Sequence, residues 1–355
     1  MFAGVARWLT ATFVAAGGLI AALVVAAVSA AAAEPPELTV SVGGGEEAFA
    51  YLPVHAAAAL GTFAAEGVGV TLRRAKHPTA AVSALRDGEA AVAVTTADQA
   101  IRGAWARGTP VRILVAHTRA PGVALLVSAR QRGRIGRLED LRGARVGIPG
   151  PGTTGHLVLT TLLERVRIEP WQLQLVSLGG SALVSRLGSG DLAAAIVEEP
   201  WTSRALGAGA AAMLLDLRQA EDAARHLGGP FYEVVSVVRA ADPELAALAP
   251  ALAAYARAVI RVQAWLATTP AGDVAARLPP AVVGDRERFV ARLGALQGAV
   301  APDGEATLAG LATTLAVLRA GTPWPASLKV TPEKLREPPA VTAARAALGP
   351  TPPAP

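Results

Sequence analysis

The sequence predicts an α/β protein, with mostly parallel sheets covered by helices on both faces, and three observations carry the prediction. Short apolar runs of strand composition alternate with helix-length segments across residues 38–116. After the run VALLVS at residues 123–128 the alternation starts afresh and continues to about residue 239. The loops between these segments are short, which suits βα units stacked on a parallel sheet. At 355 residues the chain is long enough for two domains of ordinary size.

Residues 1–33 read as a targeting segment. Arg7 is its only charge, an apolar stretch covers residues 8–28, and Ala31, Ala32 and Ala33 offer a small-residue cleavage site before Glu34. Cleavage would leave an exported, soluble chain. Retained, the same ~20 apolar residues would suffice as a membrane anchor.

A strand at 38–42 is followed by the loop Gly43, Gly44, Gly45, Glu46, Glu47, and a helix at 50–60 is closed by Gly61. A second strand, 68–72, ends in Arg73, Arg74, Lys76 and His77, and a helix covers 79–86. After the strand 90–94, Thr95, Thr96, Ala97 and Asp98 open a helix that stops near Gly108. The strand 111–116 leads into His117, Thr118 and Arg119. In the second series, strands at 146–148, 173–178, 193–197 and 213–217 alternate with helices. FYEVVSVVR, 231–239, is long and apolar like VALLVS, and the chain is then almost wholly helical to about Arg319. From Thr322 the chain is proline-rich and reads as an extended, partly disordered tail.

One stretch carries the clearest local chemistry. A strand at 145–148 runs into the turn Pro149, Gly150, Pro151, Gly152, and Thr153, Thr154, Gly155 and His156 then open an apolar-periodic helix. Strand, glycine turn and helix start make an anion-ready niche, because the first helical N–H groups lack internal partners and the dipole is positive there. The same threonines could equally serve as helix caps.

Composition narrows the function. The net charge of +5 comes from 33 basic and 28 acidic residues, scattered rather than striped. The one denser run, Arg130, Arg132, Arg134 and Arg137, lacks interleaved aromatics, so no nucleic-acid platform is expected. With no cysteine there is no disulfide, thiolate metal site or cysteine nucleophile. No G-x-S-x-G elbow, P-loop or H-E-x-x-H motif occurs. The five histidines, His55, His77, His117, His156 and His226, show no metal-ligand spacing. Catalytic residues, a metal and a cofactor are therefore not expected.

YLPVHAAAALGTFAAEGVGVTL, with Gly61, Phe63, Glu66, Gly67 and Val70, resembles the opening of the nitrate/sulfonate/taurine substrate-binding family of ABC importers. ALRDGEAAVAVTTADQAIRGAWARGTPVRIL, with Gly88 and Gly108, is similar to that family's next unit. LEDLRGARVGIPGPGTTGHLVL and LGSGDLAAAIVEEPW resemble the signature segments of its second domain, so the resemblance spans roughly residues 38–320. It implies a two-lobed periplasmic-binding-protein clamshell. Lobe one would hold 38–125 with 235–320, lobe two 129–230, and VALLVS and FYEVVSVV would be crossing hinge strands. The function implied is capture of a small polar or anionic organic solute, such as a sulfonate, taurine, nitrate or a pyrimidine-like compound. A monomeric periplasmic protein would deliver it to an inner-membrane permease and its ATPase. An exported sensor domain and a thiamine-pyrimidine synthase-like enzyme are the alternatives.

Candidate ligand contacts follow from loops at strand carboxyl ends. Gly152, Thr153 and Thr154 lead, Thr95 and Thr96 repeat the same logic in lobe one, and Glu46 and Glu47 follow the first strand. His156 suits helix packing as well as it suits ligand. Glu198 and Glu199 depart from the family, in which an aromatic often precedes the Asp/Glu-Pro pair. An acid there would repel an anion and pair with an ammonium or protonated ring nitrogen. His117 and Arg119 could balance its charge.

Overall fold

The computed structural model describes residues 35–320, 324–325, 328–349 and 355. The targeting segment expected at 1–33 lies outside the described residues, as do parts of the tail. The first sheet begins with β1 (Glu37–Val42), which leads through α1 (Leu52–Ala59) and the short α2 (Thr62–Ala65) to β2 (Gly69–Arg74). Helix α3 (Pro78–Arg86) then leads to β3 (Val92–Thr96), and a π-helical segment (Gln99–Ala104) leads to β4 (Val111–Ala116). β1 runs parallel to both β2 and β3. Valine-rich stretches build this sheet because branched side chains fit a pleated surface buried on both faces.

The second sheet starts with β5 (Val123–Ser128) and β6 (Arg145–Ile148), and α4 (Thr154–Arg165) leads to β7 (Gln174–Ser177). Then come α5 (Gly180–Ser189), β8 (Ala194–Glu198), α6 (Trp201–Gly207), β9 (Ala211–Leu217) and α7 (Ala220–Leu227). β6 is parallel to β7 and β8, and the sheet order is β7-β6-β8-β5-β9.

The chain returns to the first sheet through β10 (Val234–Arg239), which lies antiparallel between β3 and β4 and gives the order β2-β1-β3-β10-β4. β5 is its counterpart, antiparallel between β8 and β9. Both strands therefore belong to one sheet along their whole length, and a boundary at 125 cuts β5 in two. The lobes are joined instead by the segments 117–122 and 228–233, which lie side by side. Phe231 N–H donates to the Arg119 carbonyl at 3.2 Å, and Glu233 N–H donates to the Thr118 hydroxyl at 3.0 Å.

After β10 comes α8 (Leu245–Thr268), followed by α9 (Ala271–Arg277), α10 (Pro280–Val283), α11 (Arg286–Leu296) and α12 (Leu308–Ala320). By length and composition α8 could cross a membrane, but Tyr255, Val259, Val262 and Leu266 are buried, making it a core helix of the first lobe. Glu66, in the family-like segment, ties α8 down by pairing with Arg257 at 2.6 Å and Arg261 at 2.5 Å, and Phe63 stacks on Tyr255. Helix α12 departs from the expectation that 235–320 stays in lobe one: it packs against α4 of the second lobe. Tyr232 fixes that return, since its N–H donates to the Thr314 hydroxyl at 3.0 Å and its own hydroxyl accepts the Thr307 N–H at 2.9 Å.

The tail also departs from the expectation of extended chain. It forms α13 (Pro332–Leu335) and α14 (Pro339–Leu348), with Leu335 and Val341 fully buried and α14 packed on α8. Each helix has proline in its first turn, where the missing N–H is no loss and the fixed φ suits a helix start.

Candidate ligand-binding cleft

In each sheet the carboxyl ends of the parallel strands aim their loops at the other lobe. Thr96, ending β3, faces the turn of Gly152, Thr153 and Thr154 across a cavity of about 220 Å³, with Pro78, Asp98, Phe231 and Glu233 also in its wall. Thr96 and Glu233 also line an adjoining cavity of about 380 Å³ that includes Glu47, Tyr51, Glu198, Glu199 and Arg292. The two cavities thus adjoin in one cleft, with Thr96 and Glu233 in the wall of both.

The Gly152–Thr153 turn is largely satisfied within itself. The Thr153 hydroxyl donates to the Gly150 carbonyl at 2.7 Å and accepts the His156 N–H at 3.4 Å, capping α4. Gly152 N–H donates to His156 Nδ1 at 3.0 Å, and burial pulls the imidazole below its usual pKa, so it stays an acceptor. Anion-ready donors at Gly152 and Thr153 are therefore already engaged. The Thr154 hydroxyl instead faces the Glu233 carboxyl.

Glu233 is the centre of the cleft's electrostatics. It ends the crossing segment 228–233, and its carbonyl accepts the Ala97 N–H at 2.8 Å. Burial raises its carboxyl to about 8, the nearby Glu198 charge adds to that rise, and the Thr154 hydroxyl opposes it. Glu198 ends β8 and opens onto the cavity, whose walls raise its carboxyl as well. The neighbouring acid behaves differently. Glu199 pairs with Arg218, which also clasps Asp216 at 2.7 Å, and accepts the Ser203 hydroxyl at 3.0 Å.

Of the remaining sequence-derived candidates, Glu47 lines the larger cavity, and Thr95, His117 and Glu46 lie away from the walls of both cavities. Thr95 is fully buried and its hydroxyl donates to the Pro78 carbonyl at 3.0 Å. His117 is fully buried behind the first sheet, 2.8 Å from the Ser236 hydroxyl, and burial pushes it down to about 3. It is a neutral core residue because β4 continues into packed chain where a loop was expected. Glu46 pairs with His55 and Arg74, each at 3.7 Å, on the first lobe's surface. Glu47 lies between Arg74, at 3.4 Å, and Arg292, whose charge it stabilises against burial.

The sequence reading missed Glu233, Tyr51, Asp98 and Arg292. Glu233 left a signal, as the one charge within the apolar run FYEVVSVV. Tyr51 is 6% exposed, its hydroxyl has no hydrogen-bond partner, and burial together with the Glu233 charge raises its pKa. Among the described residues no group of His, Asp or Glu is arranged to hold a metal ion. What the cleft offers is polar recognition dominated by carboxyl groups.

Residues 48–221 match the family model described as NMT1/THI5 like. The chain has no match among curated protein sequences. A solved structure from Bordetella bronchiseptica RB50 aligns with a TM-score of 0.66 at 24% identity, over 88% of this chain and 98% of that one. A protein described as a periplasmic sulfonate-binding protein, from Methylobacillus flagellatus KT, gives 0.65 at 14% identity, over 91% and 98%. The periplasmic nitrate-binding protein NrtA of Synechocystis PCC 6803 gives 0.59 at 15% identity, over 89% and 90%. The chain thus has an NMT1/THI5-like segment within the two-lobed α/β fold of periplasmic binding proteins, and the resemblance read from its sequence to the nitrate/sulfonate/taurine binding family holds.

Proposed function

We propose that this chain is the solute-binding component of an ABC importer. It acts in the periplasm as a monomer, closes on a small polar solute, and delivers that solute to an inner-membrane permease and its ATPase. The observation that carries this reading is a polar cleft lined from both lobes, with both connecting segments at its floor. Such a site needs no chemistry, only tighter binding in one arrangement of the lobes than in the other. The names of its structural neighbours, among them nitrate-binding and sulfonate-binding proteins, support the same reading.

The test is retention. Residues 34–355 are purified, soaked in a small-molecule extract of the host, desalted and denatured, and the released compounds are identified by mass spectrometry. One chemically unchanged solute, retained near one per chain, is expected. Release of a converted product would contradict a pure binding role, and retention of nothing would contradict solute capture.

A further inference from the structure

The larger cavity has an uneven charge balance. Four carboxyl groups line it, from Glu47, Glu198, Glu199 and Glu233, against the single guanidinium of Arg292. Glu199 is neutralised by Arg218, and Glu47 lies between Arg74 and Arg292. Glu198 and Glu233 remain. Among the described residues neither carboxyl has an ion-pair partner, and Glu198, at the end of β8, lies close enough to Glu233, at the end of a joining segment, to raise it. An Oε2 of Glu233 lies 3.9 Å from where a Cβ on Gly122 would stand, so both crossings shelter this carboxyl.

Tyr51 is an independent sign that a ligand group is missing. Tyr51 lines the same cavity, and its hydroxyl is buried and has no partner. A buried hydroxyl without a hydrogen bond is unfavourable, and native sites seldom leave one so unless something else completes it. Two unpaired carboxyls and an orphaned hydroxyl around about 380 Å³ form a receptor for N–H donors.

Building on the reading of the chain as a solute-binding protein, we propose that this cavity takes the headgroup of a small organic cation with at least two N–H donors. An amidinium, a guanidinium or a protonated aminoheterocycle would be held between the Glu198 and Glu233 carboxylates, with the Tyr51 hydroxyl beside it. Planar paired donors suit two facing carboxylates, and charge assistance strengthens each bond. An anion such as nitrate or a sulfonate would meet the same acids with its own negative charge.

The proton balance gives this proposal a signature. Without ligand, Glu233 carries a proton up to about pH 8. The entering cation takes that proton's place, so binding releases one proton to solvent and leaves a carboxylate. The other charge facing Glu233 is Glu198 on β8; Asp98, paired with Arg102, shares the wall of the smaller cavity with Glu233, and Glu47 with Arg292 lie further round the larger one. His117, behind Thr118, is neutral throughout.

The test is calorimetric titration of residues 34–355 with benzamidine and agmatine, beside ethanesulfonate and nitrate, across about pH 6–9. Both probe cations keep their charge over that range. Cation affinity should rise about tenfold per pH unit and level off above about pH 8. Glu233→Gln should weaken cation binding at least tenfold and remove the pH slope. Glu198→Gln should weaken it similarly, and Tyr51→Phe by about three- to tenfold. Binding of an anion with affinity falling as pH rises would overturn the cation assignment while leaving solute capture standing. Failure of every amidinium and guanidinium probe at millimolar concentration would overturn the assignment as well, and the retention test would then judge solute capture separately.

Discussion

Glu233 concentrates the account at the scale of one residue. It ends one crossing segment and is hydrogen-bonded through its backbone to Thr118 of the other and to Ala97, with its carboxyl facing Thr154 and Glu198. Folding raises that carboxyl from 4.5 to about 8, so between those values the folded chain holds a proton that the unfolded chain has lost. Stability from this group is therefore full below about pH 4.5, falls as pH rises through the window, and is wholly lost above about 8. Glu233→Gln should remove that slope. At pH 8.5 the variant should be more stable than the parent by about 1–4 kcal/mol, and at pH 4.5 the two should melt alike. Parallel melting curves at both pH values would contradict a proton-holding carboxyl at this position. The sequence offers half of this finding. An acid inside FYEVVSVV is visible, but its neighbours Glu198 and Tyr51 are 35 and 182 positions away, a separation that only tertiary structure closes.

At the scale of elements, local physics was legible and partner choice was not. Branched-residue runs mark the strands, and the turn before α4 marks a helix start, which is where the helix begins. The same turn shows where the reading stops, because capping and ligand binding need the same residues. The structure separates the two threonines: the Thr153 hydroxyl bonds its own turn, and the Thr154 hydroxyl reaches Glu233. Thr153→Ala should therefore cost about 1 kcal/mol of stability with solute affinity intact. Thr154→Ala should leave the cap in place and weaken affinity by no more than the worth of one ordinary hydrogen bond, roughly 0.5–1.5 kcal/mol. Melting and titration of both variants check this, and affinity loss in Thr153→Ala alone would reverse the assignment. Proline-rich composition points to an extended tail, whereas at the first turns of α13 and α14 proline starts helices. That α12 packs against α4 is not legible in its sequence, because periodicity shows which face is buried, not what buries it.

The whole molecule is two sheets, each completed by one antiparallel strand that arrives through a crossing segment. Alternating strands and helices made the α/β class legible, and motif order suggested the clamshell. The third passage between lobes, through residues 301–307 into α12, had no counterpart in the pattern. Solute capture by this molecule requires that the lobes move about those passages and close over the cleft. The absence of native cysteine allows clean labelling: Glu89→Cys, exposed before β3, and Ser185→Cys, exposed on α5, would carry a spin label in each lobe. The decisive measurement is the label-to-label distance distribution by pulsed electron resonance, with and without a saturating amount of the solute the chain retains. The account predicts one shorter, narrower distribution with solute, and loss of that shortening in Glu233→Gln at the same solute concentration. An unchanged distribution at full occupancy would contradict closure on a ligand in this cleft.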